Sequence, residues 1–300
     1  MIRYQLAALA LKAFSVNDLT KSLYRRIGNS LGTERKLSEP FLCGQMERGD
    51  LLLRLTKQYG AVGEGSRVFE LGTGWMNWYS VYLRLFEQAE FVAYDLWDNR
   101  QFPALQGALK KLEPRLQSAA LGADAQVLAN IDAMLGCVSF EELYRRFGLT
   151  YVVEPSGSLA SFADASFDMV MSFHVMEHVH ANAVPALCKG LDRILKPGGY
   201  MIHQIGIDDH LAHYDAAASQ KQYIQYSDQE WNLRFESGIG YVNRLQASEW
   251  RTAFEATGLE LCEEIRGSVS IGRLRVDPRF SKFSKEDLEC TIQTLVYRKQ

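Results

Sequence analysis

Long apolar runs are missing from this chain. The longest stretch without Asp, Glu, Lys or Arg runs from Leu71 to Leu83, 13 residues, and it contains Thr73, Asn77 and two glycines. A membrane-spanning helix needs about 20 predominantly apolar residues, so none is expected. Arg3, the run Tyr4 to Leu11 and Lys12 imitate a signal peptide. The run is short and no clear small-residue cleavage site follows it, so an amphipathic first helix is the expectation. Paired cysteines are missing too: Cys43, Cys137, Cys188, Cys262 and Cys290 are scattered and odd in number. That excludes a disulfide framework or zinc-ribbon spacing and points to buried free thiols in a reducing, cytoplasmic setting. A basic excess is also lacking, with 33 Lys and Arg against 36 acidic residues and a net charge of −3. Nucleic acid is therefore not an expected partner. No internal repeat or low-complexity tract is present. What remains is an ordinary globular balance, 47% hydrophobic and 23% charged over 300 residues, enough for one large domain with an appendage.

Residues 1 to 60 read as a helical cap with breaks. Asn17 or Thr20 is a candidate N-cap, and Leu51, Leu52 and Leu55 mark a helix from Gly44 to Tyr59. After the turn-rich stretch from Gly60 to Ser66 come a short apolar run, Arg67–Leu71, a glycine turn, an aromatic helix from about Met76 to Phe86, and a second run, Glu90–Asp95. Strand, glycine turn, helix, strand is a βαβ unit and indicates a parallel sheet. Residues 96 to 150 interrupt the rhythm. Their patterns at Leu105–Leu116, Ala125–Met134 and Phe140–Phe147 predict a helical insertion. Further strands are expected at Tyr151–Val153, Phe167–Ser172, Tyr200–Ile205, Leu259–Ile265 and Cys290–Tyr297. A helix over Ala183–Leu195 should stop at Lys196-Pro197-Gly198-Gly199, read as turn signals. The stretch from Ile207 to Arg244 shows no clean period. The expected organisation is a helical cap over 1–60 and an α/β domain over 61–300 with a helical insertion at 96–150.

The turn Glu70-Leu71-Gly72-Thr73-Gly74 lies between a strand and a helix. Glycines there let backbone N–H groups approach a ligand, and the helix N-terminus favours electron-rich groups. Asp95, at the end of the next strand, is placed to accept hydrogen bonds from both ribose hydroxyls of a nucleoside. A nicotinamide dinucleotide site wants a third glycine for close packing, where this chain has Asn77. An acid such as Glu70 also has little to do beside a pyrophosphate, but it suits a ligand carrying an ammonium group. S-adenosylmethionine has that ammonium, a sulfonium and no phosphate. A nicotinamide-dependent dehydrogenase is thus the weaker reading.

Four strings, Val68–Trp75, Ala93–Asp95, Ser166–Val179 and Leu195–Ile202, resemble in order and spacing the motifs of class I S-adenosylmethionine-dependent methyltransferases. The resemblance covers roughly residues 60 to 265. It implies a Rossmann-like, mostly parallel seven-stranded sheet with helices on both faces. By position it implies that Glu70, Gly72, Thr73 and Gly74 line the methionine and ribose part and that Asp95 holds the ribose. Leu96 and Trp97 would sit beside the adenine, and Phe173 and His174 would border the sulfonium. Members often carry an acid after the third strand that reads the adenine amino group; here Ser156 falls at that place, with Ser158 nearby. Gly-Thr-Gly-Trp, Asp-Asp-His and Asn243-Arg244-Leu245 together are similar to bacterial methyltransferases of glycan pathways.

All six histidines lie between His174 and His213. His174-Val-Met-Glu177-His178 also matches the H-x-x-E-H pattern of some zinc proteases. That chemistry needs both histidines on one helical face and a further ligand, whereas here the string directly follows a strand. Glu177 and His178 are read instead as a polar pair that positions the loop. Asp208, Asp209 and His210 form only a generic acid–histidine group, so no metal is assigned. Methyl transfer to a hydroxyl needs alignment and a base for the proton. The candidate catalytic residues are His210, His174 and Asp209. Arg244 is a candidate for an acceptor phosphate or carboxylate, or else a surface ion pair. Tyr223, Tyr226, Trp231 and Tyr241 would suit stacking on a sugar or serve the core. The expected activity is methyl transfer from S-adenosylmethionine to a small-molecule or glycan acceptor, most plausibly at oxygen. The rival is a non-catalytic cofactor-binding module.

Overall fold

The computed structural model describes residues 1–17, 19–24, 26–28, 37–118 and 124–300. The expected cap and insertion are thus described except for the positions within 18–36 and 119–123 left outside those ranges. Seven strands form one mostly parallel sheet with helices around it. They are β1 (Arg67–Leu71), β2 (Glu90–Asp95), β3 (Leu149–Val153), β4 (Phe167–Phe173), β5 (Leu195–Gly206), β6 (Glu260–Ser268) and β7 (Cys290–Arg298). Their order across the sheet is β3-β2-β1-β4-β5-β7-β6.

By its contacts the chain divides into two compact units. One comprises 31–172, 191–202 and 298–300. Here β1 pairs in parallel with β2, placing Glu70 beside Ala93, and with β4, placing Glu70 beside Met171. Strand β2 pairs in parallel with β3, placing Asp95 beside Val153. Val68 and Phe69 are fully buried, as continuous apolar runs in a parallel sheet should be. The helices of this unit are α2 (Glu39–Tyr59), α3 (Trp78–Phe86), α4 (Phe102–Gln117), α5 (Ala125–Leu135) and α6 (Phe140–Phe147). Helix α2 ends on Gly60 in the left-handed conformation. The last three, with hydroxyl or carboxylate caps at Asp124 and Ser139, lie between β2 and β3, over the stretch expected to be helical.

Lys196-Pro197-Gly198-Gly199, expected as a turn, instead begins β5. Gly198 N–H donates to Lys299 O, and Lys299 N–H donates to Gly199 O. Gly198 takes φ 80°, and a Cβ on Gly199 would meet Asp168 O at 2.7 Å. The glycines thus read locally as a stop and act here as a tight, paired strand start.

The other unit comprises 1–30, 173–190 and 203–297, with helices α1 (Ile2–Phe14), α7 (Val184–Ile194), α8 (Asp228–Arg234), α9 (Ala247–Glu255) and α10 (Lys285–Glu289); α7 extends to Ile194 in the first. Ile207 N–H donates to Thr291 O and Val269 N–H to Glu289 O, so β7 runs antiparallel at both its edges here. Helix α1 buries Tyr4, Ala8 and Leu11, one stripe at helical spacing, while Ile2, Leu6 and Leu9 stay exposed. Asn17 and Thr20 cap reciprocally: Thr20 N–H donates to Asn17 Oδ1 and Asn17 N–H to Thr20 Oγ1. The stretch without a period, 207–244, contributes Leu211, Tyr223, Ile224, Trp231, Phe235 and Val242 to the core that receives α1. Tyr223 and Trp231, weighed as stacking residues, are core. Its polar centre is Lys221, fully buried, whose Nζ donates to Ile207 O, Cys290 O and Tyr223 Oη at 2.8–2.9 Å. Among the described residues no helix is long and apolar enough to cross a membrane.

Candidate active site

The glycine turn sits where β1 ends, and the strand order reverses between β1 and β4. In open α/β sheets ligands bind beyond the carboxyl ends of the strands at such a reversal. Gly72 and Gly74 both take positive φ, 70° and 59°, which glycine adopts without steric penalty. Gly72 N–H donates to Tyr94 O over 2.7 Å. A Cβ on Gly74 would meet nothing within 4 Å, so open space lies over the turn. Asp95 follows from β2: its Oδ2 accepts from Gly74 N–H at 3.1 Å and its Oδ1 from Leu96 N–H at 2.7 Å. Each oxygen keeps acceptor capacity, and burial raises the carboxyl's pKa. Leu96 and Trp97, next in the chain, are exposed at 38% and 43%.

Glu70 is buried at the end of β1. Its Oε2 accepts from the backbone N–H and the hydroxyl of Ser80, in α3. Its Oε1 is buried with no hydrogen-bond partner among the described residues. Burial lifts this carboxyl to about 7. Asn77, at the third-glycine position, takes φ 47°. Asparagine tolerates that conformation when its side chain bonds locally. Its amide donates to Thr73 Oγ1 and accepts from the Tyr144 hydroxyl of α6. Thr73 therefore serves the turn's shape.

The second unit holds the histidine-rich group. Phe173 ends β4, buried, and His174 follows at φ 55°, a strained conformation for a non-glycine residue. His174 N–H donates to Gln204 O of β5 at 2.9 Å. Its Nδ1 lies 3.3 Å from Glu177 Oε1, and its Nε2 is buried with no partner among the described residues. Glu177 and His178 belong to a single 3₁₀ turn, Met176–His178, so the two histidines of H-x-x-E-H do not share a helical face. The turn is pinned by Asn243, whose side chain donates to Met176 O and Val179 O and whose N–H donates to Glu177 O. His178 Nδ1 is 2.8 Å from Tyr241 O. His210 packs its ring 5.0 Å from that of His178, and burial pushes its pKa down to about 4. Asp208 Oδ2 contacts His213 Nε2 at 2.6 Å.

A sequence profile described as a methyltransferase domain matches residues 44–264. The chain belongs to this family. It is a class I S-adenosylmethionine-dependent methyltransferase. No curated protein matches it in sequence. Among solved structures it is similar to a 1,6-didemethyltoxoflavin-N1-methyltransferase from Burkholderia thailandensis, at 13% identity over 85% of this chain and 78% of that one, with a TM-score of 0.47. It is also similar to a phosphoethanolamine N-methyltransferase from Haemonchus contortus, at 15% identity over 84% of this chain and 52% of that one, with a TM-score of 0.45.

Not every residue singled out in the methyltransferase's sequence is placed as expected. Asp209, a candidate base, is fully buried, with Oδ2 accepting from the Tyr4 hydroxyl and Oδ1 from Leu211 N–H. Arg244 is neither a surface ion pair nor a free cation. It is buried, donates to Tyr226 O and Asp228, and lies over the Trp231 ring at 4.8 Å. Ser156 turns its N–H and hydroxyl to Glu154 Oε1. Glu154 follows directly on β3, and its N–H donates to Asp95 O. The roles of Asn77, Tyr144 and Glu154 rest on contacts between distant segments, and no local pattern announces them.

Proposed function

We propose that this methyltransferase transfers the methyl group to an oxygen of a small-molecule or glycan acceptor. The observation that carries the reading is the His174–Glu177 pair: an imidazole whose Nδ1 faces a buried carboxylate and whose Nε2 has no partner among the described residues. A carboxylate behind an imidazole is how a general base is held in its tautomer. Acceptors whose proton must leave as bonding begins, hydroxyls above all, need such a base.

S-adenosylmethionine supplies an electrophilic methyl on a positively charged sulfur. The unpartnered Oε1 of Glu70, the remaining acceptor capacity of Asp95 and the open space at Gly74 fit its ammonium, its ribose hydroxyls and its approach to the turn. In this reading Glu70, Gly72 and Gly74 hold the methionine and ribose part, with Thr73 shaping the turn. Asp95 grips the ribose, Leu96 and Trp97 cover the adenine, and Phe173 and His174 border the sulfonium. His174 Nε2 takes the acceptor's proton. His210, lowered by burial, is the weaker base, and Asp209 is committed to Tyr4. A helical cap over 1–60 and the insertion at 96–150 remain part of the proposal.

The test compares His174→Asn with the native enzyme on a panel of hydroxylated acceptors, following labelled methyl from the cofactor. The expected result is a loss of about 10²–10⁴ in kcat, with binding of S-adenosylhomocysteine kept. Label transferred only to amines, or an unchanged kcat, overturns the oxygen assignment.

A further inference from the structure

Glu177, His178 and His210 each offer a ligand atom, and these atoms all lie within 4.8 Å of one another. The cluster belongs to one compact unit. Glu177 is 2% exposed. Its Oε2 has no hydrogen-bond partner among the described residues, and its Oε1 has only the His174 Nδ1 at 3.3 Å. An ionised carboxylate this deep is expected to be met by donors or by a cation. His178 supplies the independent sign. Its Nδ1 is spent on the Tyr241 carbonyl at 2.8 Å, a contact an imidazole makes only by donating. In the neutral ring the proton is therefore on Nδ1, and Nε2 carries the lone pair. A ring tied through one nitrogen to a carbonyl so that the other is free is the arrangement that orients metal-ligating histidines.

We propose that Glu177, His178 and His210 bind a divalent transition-metal ion. Two neutral imidazoles and one carboxylate are a donor set for zinc, cobalt or iron, and they leave coordination positions open. Ligand atoms around one such ion stand about 3–4 Å apart, so small side-chain rotations close the set. Asp208 Oδ1 lies 3.8 Å from His210 Nε2, a further carboxylate beside the group. Gly206 keeps the floor clear: a Cβ there would meet Glu177 Oε1 at 2.7 Å, His174 Nδ1 at 3.1 Å and Asp208 Oδ1 at 3.3 Å. The inference stands on this unit's own geometry, goes beyond methyl transfer, and concerns residues to which the sequence alone assigns no metal.

The experiment strips the full-length protein with chelator and titrates it with Co(II) alone, reading visible ligand-field bands, then displaces the cobalt with Zn(II). One ion per chain is expected. His178→Asn and His210→Asn should each weaken binding by about tenfold or more, and Glu177→Gln should do the same. His180→Asn, at an exposed histidine packed at a tilt against Tyr241, should leave it unchanged. If Glu177→Gln does not fold by circular dichroism, the two histidine variants decide. Absence of stoichiometric binding to the native chain, or equal affinity in His178→Asn and His210→Asn, overturns the site. Cofactor binding by the native chain, measured separately, is unaffected by either outcome.

Discussion

The Tyr4 hydroxyl donates to Asp209 Oδ2 over 2.6 Å across 205 positions of chain. The bond ties the first helix to the segment after β5 and removes Asp209 from the pool of catalytic bases. Burial raises Asp209 to about 7, against the pull of the Tyr4 hydroxyl toward ionisation. Tyr4→Phe should destabilise the protein by about 1–3 kcal/mol. The hydroxyl favours the ionised carboxylate, so the loss should be larger above pH 7 than at pH 5. Urea unfolding at the two pH values measures both.

Asp95→Ala should weaken S-adenosylhomocysteine binding by about 1–3 kcal/mol, roughly ten- to a hundredfold in Kd. Titration calorimetry reads this directly. A thermal melt of the same variant separates lost ligand contact from the lost bonds to Gly74 and Leu96, and Asp95→Asn should lie between the two.

Glu70 gives the cofactor site a pH dependence. Its folded pKa, about 7, lies above the ordinary 4.5. The empty protein should therefore lose stability as pH rises from 4.5 to 7, where the unfolded chain has released a proton that the folded one still holds. A cationic ligand favours the ionised form, so cofactor affinity should do the opposite. It should climb by up to about tenfold per pH unit below 7 and level off above. Calorimetry across that range, repeated on Glu70→Gln, should show the slope and then its disappearance.

Gly206→Ala drives a methyl group among Glu177, His174 and Asp208. It should lower stability by about 1–3 kcal/mol and reduce kcat, while leaving S-adenosylhomocysteine affinity intact. Melting curves, turnover and calorimetry on one preparation resolve the three effects.

Much of the fold was legible. Val68–Leu71, Phe91–Tyr94 and Phe167–Phe173 are apolar runs of strand length with glycine or acid at their ends, and burial in a parallel sheet demands that pattern. The shape of the glycine turn after β1 was legible for the same reason: a local string fixes a local shape. Lys196–Gly199 misled because its pairing with Lys299 lies a hundred residues away. The 207–244 stretch carried no period because it is made of short turns and one short helix, with Tyr223, Trp231 and Phe235 buried and Tyr214 exposed. At the candidate site, the histidines were visible as a cluster in sequence. Which of them face Glu177 was not, since that depends on the left-handed turn at His174 and on Asn243 holding the carbonyls of Met176, Glu177 and Val179.

The bonds from Tyr144 to Asn77 and from Asn77 to Thr73 make α6 a brace for the glycine turn after β1. Sequence drift in α6 is thus felt at that turn. A chain with a different helix in this place would need another brace to keep the same turn shape, so helix and turn must evolve in step.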